Sequence, residues 1–571
     1  MKETKTESNL KINDLTKKLL NNRGFFSDED IEKFLNPSYE RDVADPFLIY
    51  GMEKAVKRII KAIKAGEKIV IYSDYDCDGV PGGVLLRDFF DAIGYENICV
   101  YIPHRHNEGY GLNIEAIDKL KKDGVSLMIT VDLAITNLEE IKYAEDLGIN
   151  VIVTDHHLPI YEDGKEILPK AFVVINSKQD KCDYHDDMLC GCAVAWKLVC
   201  ALLSKLRDEK INKEIDEKVK SLPDGYEKWL LDLVAISTVA DMVPLQKENR
   251  ALAYFGIKVL QKCKRQGLKN IFLKSGVSIS NINEDDISFT IAPRINAAGR
   301  MGHPIQAHNM LYEKDPILSQ FYVNEIDDLN NLRKQSVKDV VDDISFDHDV
   351  YKNDVVVVGN VDWSPGILGL IAQKIIDETG KPTFVWGRGE DEKILKGSCR
   401  SRGDVHVVSL MQKVGHDIFT HWGGHEQAGG FSLDIKNKDK LSDALNEVFK
   451  GMEVREIENE KTKIDSDISF DDINHTTYEA INALSPFGVA NPKPIFSFPK
   501  TKPLSVRRFG KQSEHIEVIY NSNSGQVKAI KFFTDEKLEE KLKKEHKLIA
   551  HFEKSYFRGK GELRLRIVDV A

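Results

Sequence analysis

Cysteine is scarce in this sequence, eight among 571 residues, and none forms a C-x-x-C pair, which excludes a disulfide framework or a zinc ribbon. The closest two, Cys190 and Cys192, open the apolar run GCAVAWKLVCALL and read as small buried thiols. Long hydrophobic runs are absent too: no segment reaches the roughly 18 uninterrupted apolar residues of a membrane span. The polar start, MKETKTESNLKIND, lacks the apolar stretch of a signal peptide. Both absences predict a cytoplasmic protein with no membrane partner. Net positive charge is also missing. A formal charge of −11 excludes a surface coated for phosphate contacts, which need Lys and Arg. The deficit is uneven: Lys461 to Ala571 carries 20 Lys and Arg against 15 Asp and Glu, a local +5, which leaves −16 for the first 460 residues. That split predicts an acidic body and a mildly basic C-terminal unit. Nor is there an internal repeat or low-complexity tract.

At roughly 100 to 200 residues per domain, the length calls for three or so folded units. From Glu67 to Asn176, Val- and Ile-rich runs (KIVIYS, SLMITV, NVIVT) alternate with helical patterns (GGVLLRDFFDAIG, NLEEIKYAEDLG), the βαβ rhythm of a parallel sheet. The helical stretches VAWKLVCALLSKL and KWLLDLVAISTVA are expected to pack beside that sheet. A polar, helix-compatible segment from Tyr312 to Ile344 precedes VVVVGN, GILGLIAQKIIDETG and PTFVW, a second α/β pattern. After EVREIENEKTK, the runs PIFSF, HIEVIY, VKAIKFF, KLIAHFE and LRLRIV predict an all-β domain, a small barrel of the OB type. The expected class is therefore α/β: an N-terminal segment 1–45, a parallel-sheet lobe 46–310, a long linker helix 311–348, a second α/β lobe 349–455 and a C-terminal OB-like domain 461–571.

Three times in the first lobe an apolar strand runs directly into acidic or imidazole side chains, in VIYSDYDCDG, MITVD and VIVTDHH. In an open parallel sheet the carboxyl ends of neighbouring strands share one crevice, so Asp74, Asp76, Asp78, Asp132, Asp155, His156 and His157 are expected to converge. So many carboxylates repel one another unless divalent cations neutralise them. Oxygen and imidazole donors without thiolate favour Mn²⁺ or Mg²⁺ over structural zinc, and two such ions serve phosphoryl transfer. Taken singly, each element is weak, because a strand-end Asp is commonly a cap or turn former. The D-x-D-x-D-G segment from Asp74 also mimics part of a calcium loop, but its twelfth position is Leu85 rather than Glu. Three clusters in succession are hard to obtain by chance.

These residues resemble the motifs of the Asp-His-His (DHH) phosphoesterases: DYDCDG the first, Asp132 the second, Asp155-His156-His157 the third, and ADMVPL with Asp241 the fourth. The resemblance implies two-metal phosphoester hydrolysis, with Asp76, Asp78, Asp132, His156 and Asp241 as direct ligands and Asp74, Asp155 and His157 beside them or on the substrate side. Two departures stand out: Leu133-Ala134 where relatives usually carry Cys-Gly, and Tyr72 where some have a metal-ligating His. Further segments, PHRHNEGYG, RINAAGRMG, LNNLRK and PFGVANPKPIF, are similar to the branch of this superfamily that degrades single-stranded DNA, and the similarity runs nearly end to end.

GSCRS at 397–401 and GGHEQAGG at 423–430 resemble the DHH-associated substrate domain. There Gly423 and Gly424 let backbone N–H groups approach an anion, and His425 donates to a phosphate or a departing oxygen. Arg105, Ser398 and Arg400 suit phosphate, whereas Arg294, Asn296 and Arg300 either bind phosphate or pin the junction between lobes. In the C-terminal unit Arg507, Arg508, Lys511, Lys528 and Lys531 interleave with Phe509, Phe532 and Phe533, a mixture through which OB folds hold single strands. The resemblance implies a 5′→3′ exonuclease on single-stranded DNA in DNA repair and recombination, with a helicase and a single-strand-binding protein as candidate partners. Two other readings stay open. A phosphatase of short oligonucleotides or nucleotides is opposed by the basic β-rich extension, and a nucleic-acid-binding scaffold without turnover by the intact acidic motifs. The residues do not separate DNA from RNA.

Overall fold

The computed structural model describes residues 13–344, 351–389, 393–452, 454–455, 463–510, 512–534, 536–556 and 561–571. Lys511, the end of the expected linker, the start of the expected second lobe and most of the 453–463 connection lie outside the described residues. Strand Lys68–Ser73 (β1) sends Ile69 and Ile71 into one core and Val70 and Tyr72 into another, the two-residue period of a strand buried on both faces. Ile98–Tyr101 (β2), Val125–Val131 (β3), Asn150–Thr154 (β4) and Val173–Ile175 (β5) join it. The five form a parallel sheet of order β2-β1-β3-β4-β5.

Register creates the crevice. Ser73 pairs with Val131, Val131 with Thr154, and Thr154 with Ile175, so four strands end on one line. The next residues extend the ladder: Asp74 N–H donates to Val131 O (3.1 Å), Asp132 N–H to Thr154 O (2.9 Å) and Asp155 N–H to Ile175 O (3.2 Å). The helices Gly79–Ala92 (α1), Gly191–Leu206 (α2) and Leu231–Ala240 (α3) share the core on one face of the sheet. Helix Ala292–Met301 (α4) then leads toward Pro316–Ile344 (α5), which at 1.5 Å per residue spans about 44 Å and is the expected linker.

The second lobe is a mixed sheet of Val356–Gly359 (β6), Thr383–Arg388 (β7), Ile394–Arg400 (β8), Phe419–Gly424 (β9) and Ala428–Asp434 (β10), ordered β9-β10-β8-β7-β6, with helix Pro365–Thr379 (α6) against it. The C-terminal sheet comprises Ser466–Asp467 (β11), Phe496–Ser497 (β12), Ser505–Phe509 (β13), His515–Ser522 (β14), Gly525–Lys531 (β15), Leu548–Ser555 (β16) and Glu562–Val570 (β17). Its order is β11-β12-β16-β17-β15-β14-β13.

Residues 14–35 of the expected N-terminal segment belong to this C-terminal core, whereas Tyr39, Val43 and Ala44 pack against the first lobe. Helices Asp14–Asn21 and Asp28–Leu35 bury Leu19, Leu20, Ile31 and Phe34 against Phe470, Phe496 and Tyr520. Arg250 of the first lobe ties both to itself, donating to the carbonyls of Phe34 (3.1 Å), Leu484 (3.1 Å) and Ser485 (3.0 Å). Among the described residues no helix is long and apolar enough to cross a membrane.

Candidate metal centre

Beyond β1 the chain reverses within DYDCDG, and Asp76 Oδ1 accepts from the N–H groups of Asp78 (2.8 Å) and Gly79 (3.2 Å). Asp78 is seated on the N-terminus of α2, its oxygens accepting from Gly191 N–H (2.6 Å) and Cys192 N–H (2.8 Å), the helix end that favours negative charge. A Cβ on Gly191 would stand 2.6 Å from Asp132 Cβ, so glycine there lets α2 abut both carboxylates. His156 is the hub: its Nε2 lies 3.1 Å from Asp132 Oδ1, 3.6 Å from Asp78 Oδ2 and 3.7 Å from Asp241 Oδ2. Asp241 reaches it from the C-terminal end of α3.

Among the described residues, three sets of ligand-type atoms lie mutually within 4.8 Å: Asp132-His156-His157, Asp78-His156-Asp241 and Asp74-Asp76-Asp132. The shared residues join them into one cluster. Asp74 Oδ1, Asp132 Oδ1 and both ring nitrogens of His156 are buried and make no hydrogen bond. Each such group costs about 1 to 3 kcal/mol unpaired, and more when charged, so this concentration fits a divalent cation with oxygen and imidazole donors.

Burial first, and neighbouring carboxylates second, push Asp74, Asp78, Asp132 and Asp241 above the usual carboxylate range. Burial likewise pushes His156 down to about 3, leaving a neutral ring of the kind that ligates metals. Asp155 is occupied within the fold: Oδ2 accepts from Ile135 N–H (2.9 Å), and Oδ1 from His156 N–H (2.7 Å) and His157 Nδ1 (2.8 Å). Burial opposes a charge on His157, yet the Asp155 hydrogen bond and charge outweigh it and raise that ring to about 9.

In both departures the side chains lie in the core on the face of the sheet away from the helices that meet the ligands. Tyr72 packs 5.0 Å from the Tyr101 ring and donates to Gly111 O (3.3 Å), outside the cluster. Leu133 and Ala134 are buried in the core on the other side of the sheet, and Ala134 holds φ 94 beside Asp132 at φ 63, a region that costs a residue with a Cβ about 1 to 2 kcal/mol.

Four guanidiniums gather between the lobes near Asp76. Burial, then Arg105, Arg333 and Arg400, push Arg300 down to about 9. Arg105 lies 4.8 Å over the Tyr75 ring, Arg300 donates to Gly366 O (3.1 Å) in α6, and Arg400 donates to Ser398 Oγ (3.2 Å). Arg333 of α5 has a buried Nε without a hydrogen bond. Among the described residues none of the four is ion-paired to a carboxylate. Arg294 and Asn296 are engaged differently. Arg294 pairs with Asp327 (2.9 Å) on α5 and donates to Thr290 O (2.8 Å), and Asn296 Oδ1 accepts from Cys77 N–H (3.0 Å). For these two the geometry favours pinning over phosphate.

His425 occupies the β9–β10 turn, its N–H donating to Ala428 O (2.8 Å). Partial burial, then the charges of His157 and Lys178, lower its pKa, so it faces the first lobe. A Cβ on Gly424 would lie 2.3 Å from Ala428 O, whereas one on Gly423 would meet nothing within 4 Å. Gly424 thus serves the hairpin and Gly423 leaves open space. Sequence reasoning assigned no role to Arg333, to Lys178 beyond β5, or to the Gly191 and Cys192 amides. Signals existed for two of these: LNNLRK for Arg333, and the capping position before an apolar helix for the amides.

A parallel sheet whose carboxyl edge gathers these carboxylates and imidazoles, faced by a second glycine-rich lobe, defines a DHH-type phosphoesterase. Residues 68–236 match the DHH family N-terminal domain, 352–451 the DHHA1 domain and 464–569 the RecJ OB domain. Over 525 residues, 92% of this chain and 63% of the relative, the sequence is 35% identical to the single-stranded-DNA-specific exonuclease RecJ of Bacillus subtilis (strain 168). Identity to the protein of the same name from Salmonella typhimurium is 30% over 458 residues, 78% of this chain and 77% of the relative. A crystal structure of exonuclease RecJ bound to manganese aligns with a TM-score of 0.60 at 28% identity, covering 71% of this chain and 95% of that one. The chain belongs to the RecJ family.

Proposed function

We propose that this chain is a metal-dependent exonuclease that hydrolyses phosphodiester bonds of single-stranded DNA from the 5′ end. The observation that carries this reading is the opposition, across one cleft, of buried carboxylate and imidazole atoms that make no hydrogen bond and four arginines that, among the described residues, form no ion pair with a carboxylate. A phosphate chain bridging metal ions and guanidiniums completes both.

Asp76, Asp78, Asp132, His156 and Asp241 would hold two Mn²⁺ or Mg²⁺ ions, and the RecJ relative solved with manganese supports that choice. Asp74 joins them in this reading, because its buried Oδ1 sits unpaired with Asp76 and Asp132, closer in than the resemblance implied. Ions bound there neutralise the carboxylates, activate water and stabilise the departing oxygen. Asp155 orients His157 through its hydrogen bond to Nδ1 (2.8 Å) and favours the protonated ring, which places His157 to donate to a phosphate oxygen. His425, uncharged at neutral pH, donates a hydrogen bond from the other lobe.

Arg105, Arg300, Arg333, Arg400 and Ser398 grip a terminal phosphate, which makes hydrolysis start from the end that bears it. Unpaired strands must be supplied and protected, which calls for a helicase and a single-strand-binding protein in the cytoplasm. The test is purified protein with Mn²⁺ on single strands labelled at either end. Early release of the 5′ label is expected; release of the 3′ label first overturns the polarity, and no release overturns the enzyme.

A further inference from the structure

The metal centre has two flanks, and the four arginines stand on only one of them. Arg105 follows β2 and lies over the ring of Tyr75, which follows β1. At the opposite edge of the sheet, β5 runs into Asn176-Ser177-Lys178-Gln179. Asn176, Ser177 and Gln179 are buried, and two of them hold the loop in place. Asn176 Nδ2 donates to His157 O (2.8 Å), and its Oδ1 accepts from Lys178 N–H (2.8 Å). Gln179 Nε2 donates to Val174 O (3.2 Å) and Asn176 O (3.0 Å). The loop is thereby clamped to the Asp155-His156-His157 turn, and Lys178 is the one side chain of the four that reaches solvent.

Among the described residues the Lys178 ammonium makes no hydrogen bond and no ion pair, although it is half-buried. Burial works against its charge, while Asp187, Asp241 and Asp155 favour it from beyond ion-pairing distance. Its own charge is felt by His156 and, across the cleft, by His425 of the second lobe. A lysine kept only to balance the acidic cluster would close on one of these carboxylates, as a compact ammonium on a flexible stem readily does. Lys178 closes on none of them. Its three donors are left for an anion that arrives with the substrate.

The separation of the flanks indicates which anion. From β1 to β5 the sheet makes three strand spacings, about 14 Å at roughly 4.8 Å each, a span of about two phosphodiester steps and too long for one. We infer that Lys178 binds the phosphate immediately beyond the scissile one. Three consecutive phosphates then lie along the carboxyl edge of the sheet: the terminal one among the arginines, the scissile one at Asp132 and His156, and the third at Lys178. The strand left after cleavage departs over β5. The inference rests on the exonuclease reading for its substrate.

The experiment compares full-length wild type with Lys178→Met on two 5′-phosphorylated substrates. A dinucleotide carries the terminal and scissile phosphates only, and a trinucleotide adds the third. With Mn²⁺, Lys178→Met should lose about 10-fold in kcat/KM on the trinucleotide, the worth of one charge-assisted contact, and less than about twofold on the dinucleotide. Lys178→Arg should keep most of the trinucleotide rate. An uncharged methylphosphonate at the third position should cost wild type the same factor and cost Lys178→Met nothing further. Equal losses on both substrates overturn the contact in favour of a structural role or an action at the scissile phosphate. An unchanged trinucleotide rate, or losses from variant and methylphosphonate that add, also overturn it. Affinities for both oligonucleotides, measured by calorimetry with Ca²⁺ in place of Mn²⁺, separate this inference from the reading beneath it. If wild type hydrolyses neither substrate yet Lys178→Met weakens binding of the trinucleotide alone, the exonuclease reading falls and the contact stands. If wild type hydrolyses neither and the variant binds both as wild type does, both fall.

Discussion

The interlobe cleft and the C-terminal sheet use the same cationic residues in opposite ways. In the C-terminal sheet the charges answer one another: Arg507 pairs with Glu517 (2.7 Å), Arg508 with Glu539 (2.5 Å), Lys528 with Glu562 (2.6 Å) and Arg564 with Glu553 (2.7 Å). In the cleft, Arg105, Arg300, Arg333 and Arg400 form no ion pair with a carboxylate among the described residues, and Arg300 is held against its neighbours' charge. Exposed ion pairs contribute little to stability, but they do leave fewer cations free to release counterions from DNA. The difference teaches that local net charge, +5 in the C-terminal unit, is a poor guide to where phosphate is gripped. Pairing status decides it.

The cleft's anionic half gives the largest effect. Asp132→Asn keeps the side-chain volume and suits the left-handed backbone at φ 63, because Asn visits that region readily. It also removes a charge that burial and four other carboxylates already disfavour. Hydrolysis with Mn²⁺ should fall by well over the roughly 10- to 100-fold that a residue supporting a metal ligand is worth. The metal-free variant should melt higher than metal-free wild type, and should gain less from Mn²⁺, which adds about 2.7 kcal/mol at 100-fold excess over its Kd. Parallel activity and melting measurements check this. A variant that loses activity, melts lower without metal and gains as much from Mn²⁺ would show that Asp132 is structural.

A smaller effect sets the two regions side by side. Removing one phosphate contact from a single strand lowers the salt slope of binding by about 0.7. Arg400→Met should show that reduction, with affinity for a 5′-phosphorylated strand falling about 10-fold. Arg507→Met, whose charge already belongs to Glu517, should leave the slope unchanged. Titrations at several salt concentrations decide it, and equal losses in both variants would erase the contrast between cleft and sheet.

The sequence made much of the cleft legible, for a geometric reason. Three strands of a parallel sheet ending in register must deliver their next residues to one edge, so VIYSD, MITVD and VIVTD read as a crevice from the sequence alone. What stayed hidden depends on contacts distant in sequence. Glu517 neutralises Arg507 across a strand pair, Leu19 and Phe34 complete a core more than 400 residues away, and Arg294 meets Asp327 across two helices. Composition weighs all cations alike, and periodicity cannot say which partner a short amphipathic helix will find. Asp74 shows the same limit within the site, since its neighbours are set by the turn that α1 imposes and not by the motif's spacing.

The smallest expected effect returns to strain beside the metal ligands. Ala134 is buried, two residues beyond Asp132, and its φ of 94 costs an L-residue about 1 to 2 kcal/mol. Glycine removes that cost but loses more backbone entropy on folding, about 0.5 to 1 kcal/mol. The net gain for Ala134→Gly is then on the order of 0.5 to 1 kcal/mol, or a rise of roughly 1 to 4 °C in melting temperature for a domain of this lobe's size. Hydrolysis should change less than twofold, because the Asp132 backbone stays fixed by its N–H bond to Thr154 O (2.9 Å). Melting curves of the first lobe's transition, followed without metal, measure it. A lower melting temperature would mean that the Ala134 methyl contributes more to the core shared with Leu133 and Ile135 than its backbone strain removes.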